Sequence, residues 1–483
     1  MRSAKVGRKY HGASLVSWLA LILAFCLWGT SANAAEPQQT FTRADYTKWL
    51  EQYANATPDF KPGDVLTAKD LERLRPFVIP GYLQFLNFPE FRAPIVAPIP
   101  HTPHPAYMQC TEKYQSQVRL KPDGTLENYK CGQPFPNSDL KVNDPTSAIK
   151  AAWNYNWKWM YYGIADYAIP WIWVRFDGAP SHSVPTLTAP ETNFVSIVPP
   201  PGWQLPADLH SYYAGGGTFQ RTLLSNYQHM QYSHLATLDG GALPVPGAEN
   251  IQYKELTGFY SPFDIRSTAF VIYRYNDPFR SDDAWAYLPT LRRVRRISAE
   301  VKSDSLLGTD ITLDDFYGYN GRVPDMEWKI LGWKYIFCVD DPREQSAHVY
   351  GPQGITPNEN WEIRKMLVLE RVPKNSRHPY SSAIMFVDPE NYYVPFHVAF
   401  DRAGKLWKIF QWQWKWSETI PPPWNKYNTG VDTVVWQAVN CIDVQNQRGT
   451  IVNGFGDGFP NVMTNLHWFD KHYDINNLEV LHR

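Results

Sequence analysis

Apolar and polar positions alternate along much of the chain after about residue 190, and that period predicts strands. Segments near 217–232, 267–275, 284–297, 328–339, 364–371, 381–388, 392–400, 405–416 and 434–444 are each bounded by Gly, Pro, Asp or Asn. Strands in series, without intervening helical patterns, predict a long antiparallel meander and a mainly β (α+β) fold. Upstream the period changes. Thr42 before Arg43-Ala44-Asp45, with Trp49, Leu50 and Tyr53 at helical spacing, predicts a capped helix. A second short helix is expected after Thr67, with Leu71 and Leu74 inward, and residues 76–107, rich in Pro and aromatics, read as extended. Residues 114–118, the Asp123-Gly124 turn and Tyr129 read as a hairpin. Asn143-Asp144-Pro145 then starts a helix carrying Ala148, Ala151, Ala152 and Trp153.

One strand has an unusual face. In residues 408–416, period two puts Phe410, Trp412, Trp414 and Trp416 on one side and Ile409, Gln411, Gln413 and Lys415 on the other. Four aromatics in a row must be covered by a core, a partner or a ligand. Plain core packing and the wall of an apolar cavity are both open readings. For the second, the wall continues onto neighbouring strands through Trp328, Met366, Val368 and Phe386.

Composition narrows the choice. The chain has 483 residues, 44% apolar and 19% charged, with 20 Trp, 29 Tyr, 24 Phe and 40 Pro. The prolines exclude an all-helical chain and the aromatics exclude disorder. The formal charge is −1, so no basic field supports nucleic-acid binding. Residues 1–34 read as a secretory signal: Arg2, Lys5, Arg8 and Lys9 form a positive start, residues 15–28 an apolar run, and Ala32-Asn33-Ala34 a cleavage site. The run is shorter than the ~20 residues of a membrane span. Cys26 raises a lipoprotein alternative, but Phe25 stands where that signal takes a small residue. The mature chain is therefore expected in a bacterial periplasm after cleavage following Ala34, with outer-membrane association an open addition. The expected organisation is a signal at 1–34, a helical and Pro-rich segment at 35–104 and one antiparallel domain at 105–483. Four mature cysteines permit two disulfides in that compartment. Cys110 and Cys131 flank the expected hairpin, so Cys110–Cys131 is favoured, and Cys338–Cys441 follows by elimination. Buried free thiols are the alternative.

Familiar catalytic patterns are missing: no Gly-x-Ser-x-Gly, no His-Glu-x-x-His and no Gly-x-x-x-x-Gly-Lys occurs. Gly215-Gly216-Gly217 reads as a turn. Asp314-Asp315 and Asp340-Asp341 read as turn or helix-start residues, since neighbours on a strand face opposite ways. His467, Asp470, His472 and Asp474, and likewise His101 and His104, read as solvated loop residues, so no metal or other cofactor is expected. Arg292-Arg293-Val294-Arg295-Arg296 is the sharpest charge motif. Asp304, Asp310, Asp314 and Asp315 are its expected internal partners; otherwise Arg293 and Arg295 meet an anionic head group or a protein.

The blocks Gly132-Gln133-Pro134-Phe135-Pro136, Trp285-Ala286-Tyr287-Leu288-Pro289, Arg292-Arg293-Val294-Arg295-Arg296, Asp314-Asp315-Phe316-Tyr317-Gly318 and Trp328-Lys329-Ile330-Leu331-Gly332-Trp333-Lys334 occur in that order. Together they resemble a proteobacterial domain-of-unknown-function family labelled outer-membrane lipoprotein-sorting-like, over roughly residues 105–420. The resemblance implies a fold similar to the lipoprotein carrier and its outer-membrane receptor: an incomplete antiparallel β-barrel, a half-barrel, with helices covering its mouth. It also implies a periplasmic step in moving lipid or other hydrophobic molecules, with an exporter of the resistance-nodulation-division type in the inner membrane and an outer-membrane protein as partners. It does not supply the cysteine pair, and the Pro-rich stretch 170–210 fits no block. The expected function is a non-enzymatic carrier or accessory protein for a hydrophobic ligand. Its rivals are an exported enzyme or binding protein acting on glycans or aromatic compounds, and a structural adaptor of an envelope complex.

Overall fold

A computed structural model describes residues 40–160, 163–177, 182–183, 187–188, 210–298, 303–340, 342–343, 348–416, 434–453, 470–471, 473–476 and 478. Residues from Phe41 onward form one unit. Its centre is a thirteen-stranded antiparallel sheet. In chain order the strands are β1 (Gly163–Arg175), β2 (Thr218–Gln231), β3 (Ile251–Ser261), β4 (Ala269–Tyr275), β5 (Asp283–Leu288), β6 (Arg293–Ile297), β7 (Met326–Cys338), β8 (Glu362–Pro373), β9 (Ser382–Val387), β10 (Phe396–Phe400), β11 (Leu406–Trp416), β12 (Val434–Asp443) and β13 (Arg448–Asn453). Their spatial order is β6-β5-β4-β3-β2-β1-β13-β12-β11-β10-β9-β8-β7. Two meanders are thus fused by pairing of the first strand with the last, and the open edges are β6 and β7. The sheet is not closed into a barrel.

Every expected segment carries strand, with 284–297 split by a turn into β5 and β6, and the sheet adds three strands that were not expected. β1 escapes the alternation rule because Pro170 sits inside it. A register shift between Asp166 and Ile169 on the β2 side lets the proline enter without disrupting the ladder. β3 carries Lys254 and Glu255 in a strand buried on both faces, so its polar residues mask its period. β13 is short and begins at a turn.

Among the described residues, three helices of ten residues or more accompany the sheet: α1 (Arg43–Gln52), α2 (Pro105–Tyr114) and α3 (Pro145–Asn156). Thr42 and Asp45 form a capping box on α1, and Asp144 caps α3, as their spacing predicts. The helical turn Leu71–Leu74 also follows Thr67. Residues 76–107 are less extended than expected. They hold a 3-10 turn at Leu83–Leu86, and α2 begins at Pro105 with the His104 ring accepting from Ala106 N. The hairpin is narrower than expected, Arg119–Leu120 against Leu126–Glu127. Cys110 therefore lies on α2, and Cys110–Cys131 ties that helix to the chain after the hairpin.

Each face of the sheet is covered. On one, the segment from α1 to Ile95 packs over β7 to β11 and reaches β1 and β13: Tyr46 meets Phe400 edge-on at 5.2 Å and Trp49 meets Phe386 at 6.2 Å. Tyr473 and Leu478 pack with Met230, Leu256 and Val271 of β2 to β4. On the opposite face lie α3, over β7 to β9, and the connection from β6 to β7. That connection runs from one free edge of the sheet to the other. Its described part, residues 303–325, is here called the strap.

Candidate functional site

The strap is held along its length. Asp310 accepts from Arg448 Nε at 2.7 Å and Thr450 Oγ1 at 2.9 Å, while its backbone carbonyl accepts from Lys408 Nζ at 2.6 Å. Asp315 accepts from Thr312 Oγ1 at 2.8 Å and Tyr380 OH at 2.9 Å, with His397 Nε2 at 3.8 Å. Burial raises that carboxyl, but the His397 contact and the charges of Lys408 and Arg371 overcome it and hold it well below the usual range. Burial lowers His397 to about 4, so the imidazole is neutral. The Tyr155 hydroxyl lies 2.9 Å from the carbonyls of both Tyr317 and Tyr319. The Asp314-Asp315 motif thus serves as the turn residue expected and also as the strap's buried anchor.

Beneath the strap lies an apolar cavity of about 20 Å³. Three tryptophans from three strands wall it: Trp171, Trp412 and Trp436. Ile169, Tyr227, Val439 and Val452 complete the sheet side, and Ile311, Phe316 and Tyr317 close it from the strap. Tyr317 is stacked near Trp412 and Trp414, whose rings lie 5.4 Å apart. Its left-handed backbone, φ 59°, swings the ring over the sheet.

A second, polar compartment adjoins it, with Tyr317 in both linings. This cavity of about 40 Å³ is bordered by Asn156 at the end of α3 and Lys158 just after it, by His229 of β2, and by Tyr253 and Arg274 of β3 and β4. His229 and Glu255 are cross-strand partners, with Nδ1 to Oε1 at 3.0 Å. Tyr227 OH donates to Glu255 Oε1 at 2.8 Å and Asn320 Nδ2 reaches both carboxylate oxygens at 3.0 Å. Burial lowers Lys158 to about 7 against the pull of Glu255, and its ammonium lies 4.2 Å from the Tyr155 ring centre. Arg274, Tyr319 and Gly321 also line a larger polar cleft of about 660 Å³, whose walls come from both edge regions of the sheet. Cleft, polar compartment and apolar cavity are therefore successive neighbours.

Several expected site residues fall elsewhere. Phe410, Trp412 and Trp414 do share the strap face, and Phe410 stacks on His397 at 4.0 Å. The side chain of Trp416 lies outside the described residues. Trp328 is on the strap face too, but under α3, with Nε1 donating to Val323 O. Met366, Val368 and Phe386 are corrected to the opposite face, in the core beneath α1. The registers Met366 to Lys334 and Phe386 to Phe396 put them one residue out of phase with Phe410, and that step reverses the face. Arg293 and Arg295 are exposed on edge strand β6, and Arg296 pairs with Asp283. Two of the expected partners, Asp310 and Asp315, are committed instead to the strap's own anchors. Charged residues on an open edge oppose strand addition by another chain.

Cys338 and Cys441 are two buried free thiols, a correction to the second expected disulfide. Cys338 faces the α1 core and Cys441 the strap, and their strands are five positions apart in the sheet. His101 is also corrected: it is fully buried, with Nδ1 3.3 Å from Asp340 and 3.4 Å from Asp388. Arg364 supplies the guanidinium for the same carboxylates, 2.8 Å from Asp388. Asp470 bonds Lys254 and Tyr232, so it is not a free loop carboxylate, while His467 and His472 lie outside the described residues. Sequence reasoning missed Lys158, His229 and Glu255, because a cross-strand pair has no fixed spacing. A charged pair inside a β-compatible run at 254–255 was the available signal.

Comparison with known proteins places the chain. An uncharacterized protein of Pseudomonas aeruginosa is 21% identical over 374 residues, covering 74% of this chain and 69% of its own. A DUF1329 family protein from Desulfovibrio piger is similar at TM-score 0.42 and 14% identity, over 70% of this chain and 100% of its own. A LolA superfamily protein from Nitrosomonas europaea is similar at TM-score 0.31 and 11% identity, over 64% and 90%. The family model described as "Protein of unknown function (DUF1329)" matches residues 65–184 and 210–470, leaving out most of the Pro-rich stretch that fits no block, and the chain belongs to that family.

Proposed function

We propose that this chain is a periplasmic binding protein that carries or hands over a hydrophobic ligand without chemical turnover. The observation that carries this reading is the apolar cavity between three tryptophans and the strap. A tail buried there would gain ~25 cal/mol per Å² of apolar area covered, about 0.8 kcal/mol for each methylene. The cavity of about 20 Å³ is far below the roughly 300–1,000 Å³ of small-molecule sites, so ligand entry requires the strap's Phe316 and Tyr317 to leave the sheet. The strap is the closed state of the site in this reading. The polar cleft between the sheet edges is the entry. An inner-membrane exporter and an outer-membrane protein, the partners implied by the resemblance, are the donor and acceptor of cargo.

Hydrogen exchange with and without a long-chain acyl probe tests the reading. The amides of residues 310–319 exchange slowly alone and faster when the probe binds. Ile311→Phe fills the cavity and weakens the probe by at least about tenfold, since overpacking a closed apolar site opposes occupancy. Probe binding that leaves strap exchange and the Ile311→Phe affinity unchanged would overturn it.

A further inference from the structure

We propose that the polar compartment beside Tyr317 is a subsite for the carboxyl head of a long-chain carboxylic acid. The inference rests on the carrier reading and adds the chemical class of its ligand. The polar compartment would take the head and the tryptophan-walled cavity the first part of the tail.

Three groups argue for a carboxyl. His229 is nine-tenths buried and its ring borders the compartment. Glu255 can only accept at Nδ1, so Nδ1 carries the proton and Nε2 offers a lone pair. That Nε2 is buried without a hydrogen-bond partner. Asn156 Nδ2 is a buried donor in the same state on the same lining. Leaving such atoms unsatisfied costs about 1–3 kcal/mol each, so a ligand that completes them is favoured. Lys158 adds a cation held against the rings of Tyr155, Tyr317 and Tyr393 at 4.2, 5.7 and 5.8 Å. It has no carboxylate within ion-pairing distance among the described residues.

A carboxylic acid fits this set atom for atom. Its O–H donates to His229 Nε2, and its carbonyl accepts from Asn156 Nδ2 and Lys158 Nζ. A carboxylate arriving from water takes its place with one added proton shared between it and Nε2. Neither an alcohol nor an ester supplies both halves: the alcohol lacks the carbonyl and the ester lacks the proton. The space agrees, since about 40 Å³ is roughly three water-sized positions and a carboxyl has three heavy atoms. A phosphate is larger and brings further negative charge close to Glu255. Access is defined as well. Arg274, Tyr319 and Gly321 form the neck shared with the outer cleft, and a side chain at Gly321 would collide with the Tyr319 hydroxyl at 2.2 Å.

The test uses the whole mature protein and three C16 probes: hexadecanoic acid, its methyl ester and hexadecanol. Affinity is read by displacement of a fluorescent alkyl reporter. The acid binds at least about tenfold more tightly than the ester or the alcohol, the ratio expected of one charge-assisted hydrogen bond. His229→Phe reduces the acid-to-ester ratio and Lys158→Met the acid-to-alcohol ratio, each at least threefold, while ester affinity in the first and alcohol affinity in the second stay within about twofold, which also reports that the fold is intact. Equal binding of acid and ester by the unaltered protein overturns the subsite while leaving the carrier reading standing. A preference that survives both substitutions also overturns it. Failure of all three probes to bind overturns the carrier reading and the subsite together.

Discussion

The two faces of the central sheet are built from the same strands but by different rules. Under α1 itself apolar contacts predominate: Phe386, Phe396, Val398, Ile409 and Trp361 meet Tyr46, Trp49, Tyr82 and Phe85, while the buried charge of that face lies in Lys334, which donates to Tyr53 O, and in the Arg364 set with Asp340 and Asp388. Under the strap, aromatics are mixed with buried charge, including Asp310, Asp315, Glu255, His229 and His397. Apolar contacts are non-directional, so a cover made of them is stable without being specific. Buried polar anchors are directional. They fix one arrangement and lose their value abruptly when it is broken. The strap therefore has the makings of a two-position element, whereas the α1 cover has those of a permanent lid.

That contrast breaks first at Asp315. Asp315→Ala removes the acceptor for Thr312 and Tyr380 and leaves His397 and Arg371 facing no charge. Loss of one partner from a buried charged set costs about 3–5 kcal/mol. The expected result is a large fall in the denaturation midpoint together with rapid amide exchange confined to 303–325. Trp361→Ala on the other face is the control. Its ring is fully buried and stacked on Phe337 at 4.5 Å, so the cavity left behind costs about 3–5 kcal/mol as well. Here strap exchange and acyl-probe affinity stay at their normal values. Equal strap exchange in the two variants would show that the faces are not independent.

How much of this was legible follows the same division. Period-two patterning finds strands whose two faces differ, so β2, β4 and β7 to β12 are readable. It fails for β1 and β3, where Pro170 and the Lys254-Glu255 pair interrupt the pattern. Local capping is readable too, because Thr42, Asp45 and Asp144 act within three residues. Which strands share a face is not readable: the aromatic run at Phe410, Trp412 and Trp414 was correctly one-sided, but Phe386 and Val368 needed the register to be placed. The strap's role was hidden for another reason. Asp310 and Asp315 gain their meaning from Arg448, Thr450 and Tyr380, residues 65 to 140 positions away.

A smaller effect separates the thiols. Cys110–Cys131 closes a loop with a sequence separation of 21, worth about 3 kcal/mol. Reductant should lower the unfolding free energy by that amount, and Cys110→Ser with Cys131→Ser should abolish the sensitivity. Cys338→Ser and Cys441→Ser should each leave the reductant response unchanged, because one thiol faces α1 and the other the strap. A reductant response that persists in the double variant at Cys110 and Cys131 would restore the second bond.

The smallest effect is a pH slope on the α1 side of the comparison. Burial raises Asp340 to about 7, although His101 and Arg364 oppose it. In the unfolded chain it titrates near the ordinary value of about 3.9. Between these limits the native state holds the extra proton. The stability contributed by Asp340 is therefore complete below about pH 4 and is lost as pH rises through about 7. His397 under the strap has the opposite sign. Its folded value of about 4 lies below the unfolded value of about 6.5, so its contribution grows with pH over that interval. The two slopes overlap between about pH 4 and 7, and comparing each variant with the unaltered protein separates them. Across about pH 4 to 7.5 the melting temperature of Asp340→Asn should lose less with rising pH than that of the unaltered protein, and that of His397→Gln should gain less. Parallel curves for Asp340→Asn and the unaltered chain would mean that the carboxyl is already ionised beside His101.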